Sequence, residues 1–311
     1  MKLQELIEQY IAHRKSLGEL QGSNAVSLRA FGRIVGSDAD ANGVRLDQVE
    51  AFLKGTGPVT LNWHVKLSVL RPFYRYAISR GHAATAPLPT VVPKRPPAFV
   101  PYIFTHDDLR RLLRAIDTDP RQQTCLEPLT IRTILLLLYG AGLRIREATD
   151  LDCNHVDLAQ SLLTVRQSKF GKTRLVPVGP DLAKVLGRYA ERISAADPNA
   201  PFFTTRTGDR VKNDTLQHNF RILCGQAGVV RTDGARFQPR IHDLRHSFAV
   251  HRLTSWYRQG ADAQKLLPQL SVYLGHVHIR ATQVYLTMTA DLLHEAGQRF
   301  GRYVEAEVPH A

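Results

Sequence analysis

Residues 86–101 read APLPTVVPKRPPAFVP, a stretch with six prolines. Each proline lacks a backbone donor and holds φ near −65°, so neither a helix nor a sheet interior can run through it. The stretch reads as an extended, semi-rigid linker. It divides a chain of 311 residues into two parts, each long enough to bury a core. The expected organisation is a helical domain over 1–85, the linker over 86–101 and a second domain over 102–311.

The first part carries the helical period throughout. LQELIEQYIAHRKSLG places Leu3, Leu6, Ile7, Tyr10 and Ile11 on one side and stops at Gly18. NAVSLRAFGRIV opens after Ser23 as a cap, and RLDQVEAFLKG stops at Gly55. LNWHVKLSVLRPFYRYAISRG is the longest, with Trp63, Leu67, Leu70, Phe73 and Tyr74 apolar and Pro72 expected to kink or split it. Its Arg71, Arg75 and Arg80, with Lys94 and Arg95 in the linker, are candidate phosphate contacts; a solvated helix face would look the same.

Lysine and arginine number 41 against 28 acids, a formal charge of +13. The excess is spread: 13 basic and 7 acidic residues lie in 1–100, and 28 and 21 beyond. Two basic parts suit a polyanion contacted by both. The longest apolar run, ILLLLYGAGL, is half of what spans a bilayer, and the N-terminus reads as neither signal nor transit peptide. Cys125, Cys153 and Cys224 are odd in number and widely spaced, which fits reduced thiols in a cytoplasm.

In the second part, Thr105 with Asp108 three residues on opens a helix as a near capping box, and LTIRTILLLLYGAG follows as a buried helix. SLLTVRQSKFGKTRLVPV reads as a β-hairpin, and the rest reads as mainly helical. DLLHEAGQRFGRYVEAEV, 291–308, is an amphipathic helix that could pack in place or dock on a neighbouring protomer.

Four islands hold residues suited to chemistry: GAGLRIREATDL, RQSKFGKTRLVPV, IHDLRHSF and YLGHVHIRATQVYLTM. In order and spacing they resemble the tyrosine recombinase (phage integrase) family, which cuts and rejoins DNA through a 3′-phosphotyrosine. The resemblance covers roughly 102–300 and extends more weakly to the first domain, which looks like that family's core-binding, SAM-like domain. It implies a mainly α protein with a small β-sheet: a helical bundle followed by a mixed α/β catalytic domain. Position by position, Arg144 and Arg245 match the two catalytic arginines, and Glu147 the acid that supports them. His242 matches the central histidine, and His276 in LGH the position held by histidine or tryptophan. Lys169 matches the hairpin lysine and Tyr285 the nucleophile. Lys172 is placed among the phosphate contacts and stays open as the alternative to Lys169.

The chemistry asks for such a set. Attack on a phosphodiester gathers charge on its non-bridging oxygens, and two guanidinium forks suit that charge better than ammonium groups. A phenol, with its pKa of about 10, needs a base or a cationic site to attack at neutral pH, and His242 is the candidate base. The departing 5′-oxygen needs a proton, for which a hairpin lysine is the candidate acid, while His276 would donate to the phosphate. Taken singly, Tyr285 reads as a core aromatic, and Arg146 and His246 as structural.

A metal hydrolase using His242 and His246 is a rival reading, but Arg245 between them would set a cation beside the metal. A DNA-binding architectural protein is a second rival and has no use for the six residues together. A type IB topoisomerase shares them, though the small first domain looks more like a recombinase. From His246 to His276 is 30 residues, several more than in chromosome-dimer resolvases of the Xer type. The wording there resembles recombinases of transposons and integrative elements. The expectation is thus an enzyme acting on double-stranded DNA without cofactor or metal, as a tetramer on paired sites. It could work with other recombinases of the same element, and its expected place is a bacterial-type cytoplasm, on the nucleoid and off the membrane. Integration or excision of a mobile element is preferred over Xer-like dimer resolution.

Overall fold

The computed structural model describes residues 1–18, 22–36, 38–55, 59–97, 99–118, 125–166, 173–193, 197–235, 237–287, 292–295 and 297–298. The chain forms two compact units, Met1–Phe99 and Val100–Ala311. Among the described residues no helix is long and apolar enough to cross a membrane.

The first unit packs α1 (Leu3–Ser16), α2 (Gly22–Val35), α3 (Leu46–Lys54) and α4 (Leu61–Ser79) on one another. The five apolar residues that α1 spaces along one side are all buried, and Phe31, Phe52, Leu70, Phe73 and Tyr74 close the core from the other helices. Two details differ from expectation. α2 begins at Gly22, so Ser23 lies in its first turn and does not cap it. α4 runs unbroken through Pro72. Proline forfeits one ladder hydrogen bond there, but Leu70, Phe73 and Tyr74 beside it are buried, and packing of that face outweighs the loss. Arg71 and Arg75 lie exposed on α4, as do Arg80 at its end and Lys94 and Arg95 beyond it.

The second unit opens with α5 (His106–Thr118). Its entry is the capping box read from the sequence: Asp108 N–H donates to Thr105 Oγ1 (3.0 Å), and Thr105 N–H to Asp108 Oδ2 (2.9 Å). The buried α6 (Pro128–Gly140) leads to the short α7 (Ile145–Thr149). An antiparallel sheet in the order β1 (Val156–Asp157), β2 (Leu162–Val165), β3 (Arg174–Pro177) follows. The β2–β3 pairing supplies the expected hairpin; its turn, with Lys169 and Lys172, lies outside the described residues.

After α8 (Pro180–Ala190) the next helix among the described residues is α9 (Asn213–Gln226). Asp-Pro-Asn and Thr-Gly-Asp turn chemistry makes that connection, which buries Phe202 and Phe203 and bridges Thr204 to Arg210. α10 (Asp243–Arg258), packed on α6, then α11 (Ala263–Leu274) and α12 (Arg280–Gln283) complete the unit. A 3₁₀ turn, Val284–Thr287, carries Tyr285. Most of the predicted helix 291–308 lies outside the described residues.

Candidate active site

Arg144 is delivered by a glycine turn. Gly142 takes φ +59°, and a Cβ there would stand 2.5 Å from the Phe248 ring of α10, so only glycine lets α6 hand over to α7 this close. The Arg144 backbone N–H donates to Glu147 Oε2 (2.9 Å), Nη1 to Glu147 Oε1 (2.6 Å) and Nη2 to the Gly275 carbonyl (2.9 Å).

His242 stands at the start of α10, where Asp243 accepts from Arg240 N–H (2.9 Å) and its Nη2 (3.0 Å) and so fixes the entry. One turn in, Arg245 is only 2% exposed. It donates to the carbonyls of Gly142 (2.7 Å) and Leu274 (2.6 Å), and Nη1 stands 3.8 Å from Glu147.

The far wall is the end of α11. Gly275, at φ +67°, turns the chain in the left-handed region. Three consecutive carbonyls at this end each accept from a different guanidinium: Tyr273 from Arg174, Leu274 from Arg245 and Gly275 from Arg144. Cations belong at this negative end of a helix dipole. His276 follows directly, its Nδ1 2.8 Å from the hydroxyl of the buried Thr282. The Tyr285 ring is stacked 6.1 Å from His276 and lies 5.5 Å from His246. The residue is 3% exposed, and its phenol lies in the field of the Arg245 and Arg144 charges.

The charges are unbalanced. Arg144, Arg174 and Arg245 face one carboxylate, Glu147, so the cluster keeps an excess of positive charge in a mostly buried place. Burial works against ionised Glu147, but the bonds and charge of Arg174, with those of Arg144, hold it down at about 2. Burial and the Arg144 charge lower Arg245 to about 10, which leaves it protonated at neutral pH. Burial raises the Tyr285 phenol despite the Arg245 charge, so it rests protonated. His242 is lowered to about 4 by burial and by His246, and His276 to about 3 by burial and by Arg245 and Arg144. Both are neutral at pH 7, the form that can accept a proton.

A cationic pocket around a buried phenol is what the family resemblance requires. The sequence model of the phage integrase family matches residues 103–291, more than half the chain. The Sinorhizobium fredii protein y4rB, described as an integrase/recombinase, is 37% identical over 247 residues, 78% of either chain.

The chain belongs to the phage integrase family.

Members of this family are tyrosine recombinases, enzymes that cleave and rejoin DNA strands. The tyrosine recombinase XerC of Salmonella typhi is 31% identical, covering 79% of this recombinase and 75% of its own length. In fold the recombinase is similar to the Tn1549 transposon integrase solved with transposon right end DNA. That match has a TM-score of 0.70 at 17% identity and covers 97% of this chain and 99% of the other.

Of the residues singled out in the recombinase sequence, Arg144, Glu147, Arg245, His276 and Tyr285 meet in one place, with His242 joined to them through His246, 5.1 Å between rings. Two further residues join them. His246 lies against Tyr285, and the i, i+4 spacing from His242 was its only signal. Arg174 in the sequence reads merely as part of a hairpin strand. Its signal was the period of two, since Val176 and Val178 face inward and residue 174 must share their side. Arg146, 82% exposed, stays on the surface of the recombinase.

The histidines make recombinase stability depend on pH. His242, His246 and His251, each lowered to about 4, and His276, at about 3, are all depressed chiefly by burial. Below about 6.5 the unfolded chain takes up protons that the folded one refuses. Stability is therefore full above that pH and is lost as pH falls toward 4. Thermal melts of the full chain should show the midpoint dropping steadily from pH 7 to 4.5; a flat profile would contradict the burial of these rings.

Proposed function

We propose that this recombinase is site-specific and acts through Tyr285, integrating or excising a mobile element. The phenol oxygen attacks the scissile phosphorus while its proton passes to His242. The bond from phosphorus to the 5′-oxygen breaks, and that oxygen takes a proton from the hairpin lysine, Lys169 or its neighbour Lys172. The product is a 3′-phosphotyrosine and a free 5′-hydroxyl. Attack by the 5′-hydroxyl of the other strand reverses the step, so the ester energy is conserved and neither ATP nor a metal is consumed. Arg144 and Arg245 neutralise the phosphate oxygens as charge gathers, and His276 donates a hydrogen bond to one of them.

The observation that carries this reading is the buried Tyr285 ring set between His246 and His276, beside a cluster with more cations than its own carboxylate neutralises. An anionic phosphate would complete that balance. Its arrival would also raise the His242 basicity that burial now suppresses.

In this proposal residues 1–85 form a core DNA-binding domain, 86–101 the linker and 102–311 the catalytic domain. Arg71, Arg75, Arg80, Lys94, Arg95 and Lys172 would contact phosphates of double-stranded DNA. The working assembly would be a tetramer on paired sites, in a bacterial-type cytoplasm on the nucleoid. The mobile-element role draws on the likeness to integrase-named relatives and to a transposon integrase. The XerC likeness supports dimer resolution as the second reading.

The direct test uses a randomised pool of duplexes, nicked at varied positions so that cleavage cannot reverse. Covalent adducts that survive SDS are isolated, the DNA sequenced and the modified peptide identified by mass spectrometry. The expected result is one preferred sequence joined through its 3′-phosphate to Tyr285. DNA binding without any adduct would overturn the proposal. Affinity should also fall steeply with salt, by a log–log slope of about 0.9 per phosphate neutralised. Arg71→Ala with Arg75→Ala should reduce that slope by about 2. An unchanged slope would remove these two from the interface.

A further inference from the structure

Arg174 is the one arginine of the cluster that the reaction above does not use. It opens β3 with its side chain turned in, 12% exposed, while Leu175 beside it is 61% exposed. A strand that buries arginine and exposes leucine is obeying something stronger than hydrophobicity. Nη1 donates to Glu147 Oε1 (2.9 Å), Nη2 to Glu147 Oε2 (2.8 Å) and Nε to the Tyr273 carbonyl (3.0 Å). The guanidinium also lies against Gly275, where an added Cβ would stand 2.8 to 3.1 Å from three of its atoms. The glycine of LGH is therefore required twice, by its left-handed φ and by this contact.

We infer that Arg174 is a positioning residue for strand cleavage. It holds both oxygens of Glu147, and through them the Arg144 guanidinium, while pinning the end of α11 from which His276 and Tyr285 follow. It also ties this frame to the strand that leaves the β2–β3 turn. The inference rests on the recombinase reading of the site.

A lysine could supply the charge but not three directed bonds in one plane. The groups facing Glu147 are Arg144 at the start of α7, Arg174 on β3 and Arg245 on α10, with Tyr285 behind the last. Without Arg174, burial acts on the carboxylate with its main opponent gone, so Glu147 should take up a proton at a higher pH. A protonated Glu147 accepts less well from Arg144, and the guanidinium would lose its fixed direction.

The test compares R174Q, R174K and R174Q/E147Q with the wild type, all as full chains. Infrared spectra between pH 8 and 5 read the band of a protonated buried carboxylic acid. It should appear in R174Q and be missing from the wild type, R174K and the double variant. Adduct formation per folded, DNA-bound molecule should fall roughly 10- to 100-fold in R174Q, the scale expected when a reacting group is misplaced. The ratio to wild type should fall further as pH drops from 8 to 6, and this extra dependence should vanish in R174Q/E147Q. R174K should recover only part of the rate. A wild-type rate per folded molecule in R174Q, a full rate in R174K, or no Glu147-dependent band would each overturn the inference. A merely stabilising arginine would move the melting point and none of these. If R174Q does not fold, R174K carries the rate comparison. A wild type that forms no adduct would instead refute the recombinase reading, and the infrared comparison would still decide whether Arg174 keeps Glu147 ionised.

Discussion

Tyr285→Phe should fold and bind DNA like the wild type and form no covalent adduct. The substitution removes one oxygen from a ring that is 3% exposed, packed with Leu274, Leu270 and Phe248 in one apolar cluster. Phenylalanine fills the same space, and burying it incurs no phenol desolvation. Arg245, whose charge bears on the phenol, keeps its bonds to the carbonyls of Gly142 and Leu274. Stability should therefore change by less than about 1 kcal/mol, the scale of one net hydrogen bond. Cleavage should fall by roughly 10⁴ or more, as when the nucleophile of a catalytic set is deleted. Binding and melting curves beside an SDS-resistant adduct assay check all three. An adduct of wild-type yield in the variant would move the nucleophile elsewhere, and a collapse of folding would return Tyr285 to the core.

The second large effect separates the two arginines, which sequence alone treats as equivalent. Arg144 is 26% exposed at its side chain and Arg245 2%. Arg144→Ala should bind DNA, stay folded and lose cleavage by about 10² or more, the usual loss for one transition-state donor. Arg245→Ala should lose the same donor and also stability. It strands the Gly142 and Leu274 carbonyls in the interior, each costing about 1–3 kcal/mol, and leaves the volume of a guanidinium empty. The expected destabilisation is about 2–5 kcal/mol. Glu147 keeps Arg144 and Arg174, so it is not itself orphaned. Thermal melts with cleavage rates corrected for folded fraction decide the matter. If Arg245→Ala melts with the wild type, its bonds to the two carbonyls do not hold the site together.

The residues of the site were legible because the reaction restricts them chemically and because they fall in short islands. A buried arginine with a neighbouring histidine, or a glycine followed by histidine, stands out against helical periodicity. What links the islands was not legible. The three carbonyls at the end of α11 are backbone groups that any sequence supplies, so nothing in the residues 273–275 announced that they would receive guanidiniums. Arg174 was hidden for a related reason, since a strand of four residues is too short for its reversed alternation to be noticed. In the first unit the apolar spacing of α1 and α4 suffices for the helices, whereas Pro72 signals a break that the packing around it overrides.

The clasp of arginines on the end of α11 bears on how such a chain can tolerate changes of length. The three guanidinium bonds that tie α11 to the site are made to its last two residues and the glycine after them. The connection that begins it, Gln259–Asp262, contributes none of these ties. Residues can therefore be gained or lost at that remote end with the reactive groups left where they are. One residue inserted between Leu274 and His276 would turn every later side chain off its partner. The 30 residues from His246 to His276 thus include a stretch whose length can change away from the chemistry.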